Sequence, residues 1–111
     1  MTICDRILAV DSRIGSAMVV DDNGEIVESK TSGARLMPKE DIAEFAGMWA
    51  SVMRGVSERM EKYLGNHSGL SIYYDKLTVH GMPVGNKTIV ITARKDLPLE
   101  IVLSLKKIAE E

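Results

Sequence analysis

The sequence is poor in the side chains that most often carry chemistry. Its 111 residues include one cysteine, two histidines, one tryptophan and one phenylalanine. Cys4 has no partner for an internal disulfide, which suits a reducing cytosol. It falls on the apolar side of the first helical pattern, so a packed thiol is expected there rather than a nucleophile. His67 and His80 stand far apart in sequence, whereas a metal motif needs three or four clustered ligands. Neither a metal nor a cofactor is therefore expected. No apolar run approaches the roughly 18 residues of a membrane span, and no signal peptide opens the chain, so a cytoplasmic protein is expected. Neither charge dominates, because 14 Lys and Arg face 16 Asp and Glu for a net charge of −2. No segment is strongly basic. Nucleic-acid affinity rests on clustered cations that release counterions, so that class of partner is not expected.

What is present is an ordinary globular balance, with 45% hydrophobic and 27% charged residues. The length predicts one domain over residues 1–111. Ile3, Cys4, Ile7, Leu8 and Ile14 recur at helical spacing, which predicts a short amphipathic helix from about Thr2 to Ile14, broken at Gly15-Ser16. Two strand-like runs, Ala17–Val20 and Glu25–Ser29, flank Asp21-Asp22-Asn23-Gly24. Asn-Gly there predicts a hairpin with a type I′ turn. Residues 30–36 read as a polar connection.

Pro38, Glu40, Asp41 and Glu44 suit the start of a helix. From there Ile42, Phe45, Trp49, Val52, Met53, Val56, Met60, Tyr63 and Leu64 fall within an arc of roughly 120°, a long helix with one apolar stripe. Gly65 is a natural stop. Leu70, Ile72 and Tyr74 then alternate with polar neighbours, and the apolar phase flips at Asp75-Lys76, which predicts a turn or bulge. Tyr73 lies on the opposite phase from that core. Gly85-Asn86 predicts a second tight hairpin. Thr88-Ile89-Val90-Ile91-Thr92 is β-branched on both sides and belongs in the sheet centre. Asp96 and Pro98 suit the start of a last helix, whose inner face is Leu97, Ile101, Val102, Leu105, Ile108 and Ala109.

The catalytic inventory is thin. His67 reads as a solvated loop residue and His80 as a half-exposed sheet residue. No serine has nucleophile-elbow context, and no glycine-rich loop opens a helix after a strand. Catalysis is not expected. Two features stand out instead. Gly47, Ser51 and Gly55 are spaced i, i+4, i+8 on the long helix, away from the Trp49 stripe and flanked by Ala43 and Ala50. Each interior glycine costs about 1 kcal/mol relative to alanine, so this line suggests a close approach by another helix, as at a dimer interface. Leu99 and Leu103 lie outside the inner arc of the last helix and form an alternative partner surface.

The order α-β-β-α-β-β-β-α resembles the roadblock / dynein light chain superfamily. The stretch Gly15-Ser16-Ala17-Met18-Val19-Val20-Asp21-Asp22-Asn23-Gly24-Glu25-Ile26-Val27 looks like that family's opening hairpin. Leu77-Thr78-Val79 through Val84-Gly85-Asn86-Lys87-Thr88-Ile89-Val90-Ile91-Thr92 is similar to its late hairpin. Ile7-Leu8-Ala9-Val10-Asp11-Ser12-Arg13-Ile14 resembles the opening of a small archaeal branch. The resemblance implies an α+β, profilin-like fold. Its five-stranded antiparallel sheet would have order 2-1-5-4-3 and lie between the long helix and the two terminal helices. It also implies a non-enzymatic scaffold that pairs with itself or a paralogue, through the long helix and the edge strand after it, and that regulates a small GTPase. The alternative is a PAS- or profilin-like small-molecule sensor, with Trp49, Met53 and Tyr74 lining a pocket between sheet and helix.

Overall fold

A computed structural model describes residues 1–33 and 37–110. Residues 34–36, part of the expected polar connection, lie outside the described residues. The first helix, α1 (Ile3–Leu8), is fixed at its start by a capping box. Thr2 Oγ1 accepts the Asp5 backbone N–H at 3.1 Å, and the Asp5 carboxylate accepts the Thr2 N–H at 3.2 Å. Each bond satisfies a donor that the helix start leaves open. The helix is shorter than the sequence pattern predicts, because Asp11 organises a turn in place of further helix. Its carboxylate accepts the backbone N–H and guanidinium of Arg13, and its carbonyl accepts the Ile14 N–H.

Ile14 therefore begins a strand, β1 (Ile14–Val20), and Gly15 does not break the pattern. The register against the strand beside it shifts between Ile14 and Ser16, so Gly15 sits in a bulge. The next strand, β2 (Ile26–Thr31), pairs with β1 across the Asp-Asp-Asn-Gly turn. That turn is not type I′. Gly24 alone of its residues has positive φ, at 83°, and the Asp21 N–H donates to Glu25 O. This is the pattern of a three-residue loop in which glycine takes the left-handed position. Asp21 holds it by accepting the Asn23 and Glu25 N–H groups on one carboxylate oxygen.

The long helix, α2 (Lys39–Leu64), follows Pro38 and ends at Gly65, whose φ is 84°. Three strands come next: β3 (Leu70–Tyr73), β4 (Thr78–Val84) and β5 (Lys87–Ala93). Tyr74 N–H donates to Leu77 O at the expected phase flip. Gly85, with φ of 61°, turns β4 into β5. The last helix is α3 (Leu99–Glu110). It starts after Leu97 and Asp96, and Asp96 pairs with Arg13 and Arg94 instead of capping it.

The strands form one antiparallel sheet of order β2-β1-β5-β4-β3, as the family resemblance implies. Strand alternation sends Ala17, Val19, Met82, Ile89 and Ile91 to one face, where α1 and α3 cover them with Ile7, Val102 and Leu105. Met18, Val20, Val79 and Val90 pack on the other face under Ala46, Trp49, Ala50 and Met53 of α2. β5 is central and buried on both faces, because its β-branched residues supply apolar contacts to both layers.

Gly81 is where α2 meets the sheet most closely. A Cβ there would run into the six-membered ring of Trp49. Gly81→Ala should therefore force the indole out of its seat. The expected loss is about 1–3 kcal/mol of unfolding free energy, read by denaturant titration. Asp11 supplies a second test. Hydrogen bonds from the Arg13 side chain, and then from its backbone, hold this carboxyl at about 2 rather than 3.8. A depressed carboxyl stabilises the fold above its unfolded value, and that share disappears as pH falls from about 4 through about 2. Asp11→Asn should be less stable than the parent at neutral pH, with a shallower loss over that acid window.

Candidate interaction surface

The apolar stripe predicted along α2 divides in two. In its middle Trp49 and Met53 are buried, together with Ala46, which the stripe did not include, and Ala50, expected beside the outward glycine line, while Ile42, Phe45 and Val56 are half-buried. Its distal part is exposed: Met60, Tyr63 (73%) and Leu64 (76%) do not belong to the core, contrary to the periodicity. Length is the physical reason. The 26 residues of α2 span about 39 Å at 1.5 Å per residue. A seven-residue strand covers about 23 Å. Helical phase is the same all along, but the sheet beneath runs out.

A second set of apolar side chains also faces outward. Met48 is exposed beside the line Gly47, Ser51, Gly55, and so is Val52, which the periodicity wrongly placed in the core stripe, because the helix turns the side carrying Ala46 and Ala50 to the sheet. At about 100° per residue, Met48, Ser51, Val52 and Gly55 share an arc of roughly 100° on the side of α2 away from Ala50. Ser51 is exposed, and nothing lies within 4 Å of where a Cβ on Gly55 would stand. Gly47 is half-buried, because the β1–β2 turn reaches it: a Cβ on Gly24 would be 3.2 Å from Gly47 Cα. Arg54 ties the same turn to the helix by donating to Asp22 O. Part of the glycine line thus serves a close approach within the chain. Sequence periodicity missed Met48, because it lies off the main stripe.

At the sheet margin, β3 is bonded only to β4 among the described residues, which leaves its other edge unpaired among them. Ile72, Tyr73 and Tyr74 are exposed there. Tyr74, expected in the core, lies beyond the last paired residue, Tyr73, where no ladder holds it against the sheet. On α3, Leu99 (63%) and Leu103 are exposed, and α1 and the sheet leave that side of the helix open.

The structure corrects the reading of both histidines. His80 is buried, 3% exposed, and hydrogen-bonds through Nδ1 to Ser71 Oγ at 2.6 Å on the neighbouring strand. Burial lowers its pKa, because the cation would lose its hydration. Tyr73 packs edge-on beside it. His67 is half-buried, and its Nε2 hydrogen-bonds to Ser57 Oγ on α2 at 2.7 Å. The sequence carries no signal for either pairing, since the serines lie on separate elements. Neither histidine is hydrogen-bonded to a carboxylate among the described residues, so the orienting third group of a hydrolytic triad is missing from both. No group of three or more His, Cys, Asp or Glu side chains among the described residues could hold a metal. Cys4 is fully buried, and its thiol is pushed up to about 12 by burial and then by the Glu28 carboxylate. Such a thiol is a poor nucleophile.

A cavity of about 680 Å³ opens between the sheet and the first turns of α2. Its walls include Met18, Ile42, Phe45, Leu77 and Val90. Trp49, Met53 and Tyr74, expected to line a sensor pocket, are not among its lining residues. Trp49 and Met53 belong to the closed core further along α2, and Tyr74 is beyond the sheet edge.

No protein-family profile matches the chain, and no curated protein matches it in sequence. Solved structures do. An MglB protein in a tetrameric arrangement superposes with a TM-score of 0.78 at 18% identity, covering 98% of this chain and 80% of that one. A roadblock/LC7 domain from Streptomyces avermitilis gives 0.76 at 6% identity, covering 95% and 86%. The gliding protein MglB from Thermus thermophilus gives 0.76 at 16% identity, covering 98% and 81%. No helix among the described residues is long and apolar enough to cross a membrane. At these identities the likeness is one of fold, and the fold is that of roadblock/LC7 domains.

Proposed function

We propose that the protein is a non-enzymatic interaction module, a single roadblock-like domain that works as a two-fold dimer and regulates a small GTPase. The observation that carries this reading is the outward face of α2. Met48 and Val52 are exposed beside Ser51 and the open backbone of Gly55, on a helix longer than its own sheet. Exposed apolar surface with small residues along it suits a second helix laid close by, and two-fold pairing is the commonest way to cover such a patch. The free edge of β3 adds unpaired backbone donors and acceptors that a symmetry-related strand would satisfy. The proposed dimer interface is therefore Gly47, Ser51 and Gly55, with Met48 and Val52 beside them. Its partner is a second copy or a paralogue. Leu99 and Leu103 are a separate surface open to a further protein. The small GTPase enters through the roadblock resemblance, which also suggests an archaeal branch; the lone cysteine suits a cytoplasmic setting.

Light scattering decides the pairing. The parent should be a dimer at micromolar concentration. Gly55→Leu raises helix propensity, so in a monomer it would be neutral or stabilising by roughly 1 kcal/mol. In the dimer the added bulk should split the pair or weaken it at least about tenfold. Val52→Asp should do the same by placing a charge in the apolar contact. A monomeric parent, or a Gly55→Leu variant that stays dimeric and melts higher, would refute this interface. The GTPase assignment is checked by titrating small GTPases of the same cell. One of them should bind more tightly in its GTP-loaded than in its GDP-loaded form.

A further inference from the structure

The cavity at the N-terminal end of α2 has a composition that selects a ligand. Strand pairing sets its floor. Ser16 pairs with Thr31 and Met18 with Ser29 across β1–β2, and Ser16 pairs with Thr92 across β1–β5. Directly paired residues share a face, and Met18 packs in the α2 core, so all four hydroxyls point to the cavity side. Ser16 Oγ and Thr92 Oγ1 lie 2.5 Å apart and share one hydrogen bond, which leaves each hydroxyl capacity for another partner. The walls above this floor are apolar, formed by Ile42 and Phe45 of α2 and by Leu77 and Val90.

The charge around the cavity is of one sign. Arg13, Lys30, Lys39, Lys76 and Arg94 line it, and no acidic residue does among the described residues. Three of these cations are engaged elsewhere: Arg13 by Asp11, Lys30 by Asp5 and Arg94 by Asp96. Lys39 and Lys76 are exposed and have no ion-pair partner among the described residues. A chain with a net charge of −2 thus gathers free positive charge around this cavity.

We propose that this cavity binds a small apolar carboxylate. The apolar body lies against Met18, Ile42, Phe45, Leu77 and Val90. Its carboxylate is held at the mouth by the Lys39 and Lys76 ammonium groups. Two free cations are more than enough to hold one carboxylate. A phosphate would call for a denser set of donors, such as a glycine-rich nest, and no residue lining the cavity has positive φ. The volume of about 680 Å³ falls within the usual range for small-molecule sites. The proposal does not rest on pairing through α2. The cavity lies at the first turns of the helix, away from Gly55, so the two tests fail separately.

Calorimetric titration with decanoate and with decanol tests it on the intact chain. Decanoate should bind one per chain, and decanol, which keeps the apolar body without the charge, at least about tenfold more weakly. The double variant Lys39→Glu, Lys76→Glu should lose decanoate affinity by a similar factor while leaving decanol unchanged. Ala43→Trp, at an exposed lining position where a large ring would fill the mouth, should abolish binding of both. All three substitutions are at exposed sites, and the thermal melt of each variant confirms folding. Equal affinity for decanoate and decanol would overturn the proposal. So would binding that survives Ala43→Trp, or no decanoate binding at millimolar concentration.

Discussion

Trp49 lies with its ring over the backbone of Gly81, and that seat sets how the long helix rests on the sheet. Only glycine leaves room for the indole there. Beside the ring the helix brings down the small Ala46 and Ala50, with Met53 one turn further on. Met48 and Val52 are then turned outward whatever their hydrophobicity. Close approach in the middle also leaves the two ends unsupported. At the N-terminal end Ile42 and Phe45 stay half-buried and a cavity remains beneath them. At the C-terminal end the helix extends past the sheet. One aromatic contact thus creates both the proposed pairing face and the proposed ligand site.

The opposite face of the sheet is sealed by different means. Two short helices cover it, and α1 is too short to be stable alone. It is held by its capping box, by apolar burial of Cys4 and Ile7, and by Glu28 of β2, whose carboxylate accepts the Cys4 backbone N–H at 2.7 Å. Lys30 of β2 pairs with Asp5 of α1. The edge strand β2 is therefore charged on the α1 side and carries hydroxyls on the α2 side. Such charges also discourage unwanted strand addition at that edge.

The sheet was legible in the sequence where chemistry is local. Thr88 to Thr92 announces a central strand because it is β-branched on both faces, and Gly24 and Gly85 mark their turns. The long helix was legible as a helix, but its buried side is turned toward Ala46 and Ala50 and away from Val52, and its length exceeds the core beneath it. Periodicity reports which side of Met60 and Leu64 faces the core, not whether any core lies beneath them. Gly15 reads as a breaker from composition alone, yet a strand beside it can absorb one extra residue as a bulge. Asn23 tolerates positive φ without adopting it, so the turn type was not legible either. The burial of His80 was not legible either, because its partners Ser71 and Tyr73 stand on a different strand. The cavity was least legible, since its floor joins three strands and its free lysines stand on two separate elements.

The burial of Cys4 has a practical consequence. It is the sole thiol of the chain, it is fully buried, and its proton is held far more firmly than that of an ordinary cysteine. An alkylating reagent can reach it only in molecules whose first helix has lifted from the sheet. The rate of modification under native conditions therefore counts those opening events directly. The chain carries its own single-site clock for the local stability of its N-terminal segment, with no label to be introduced.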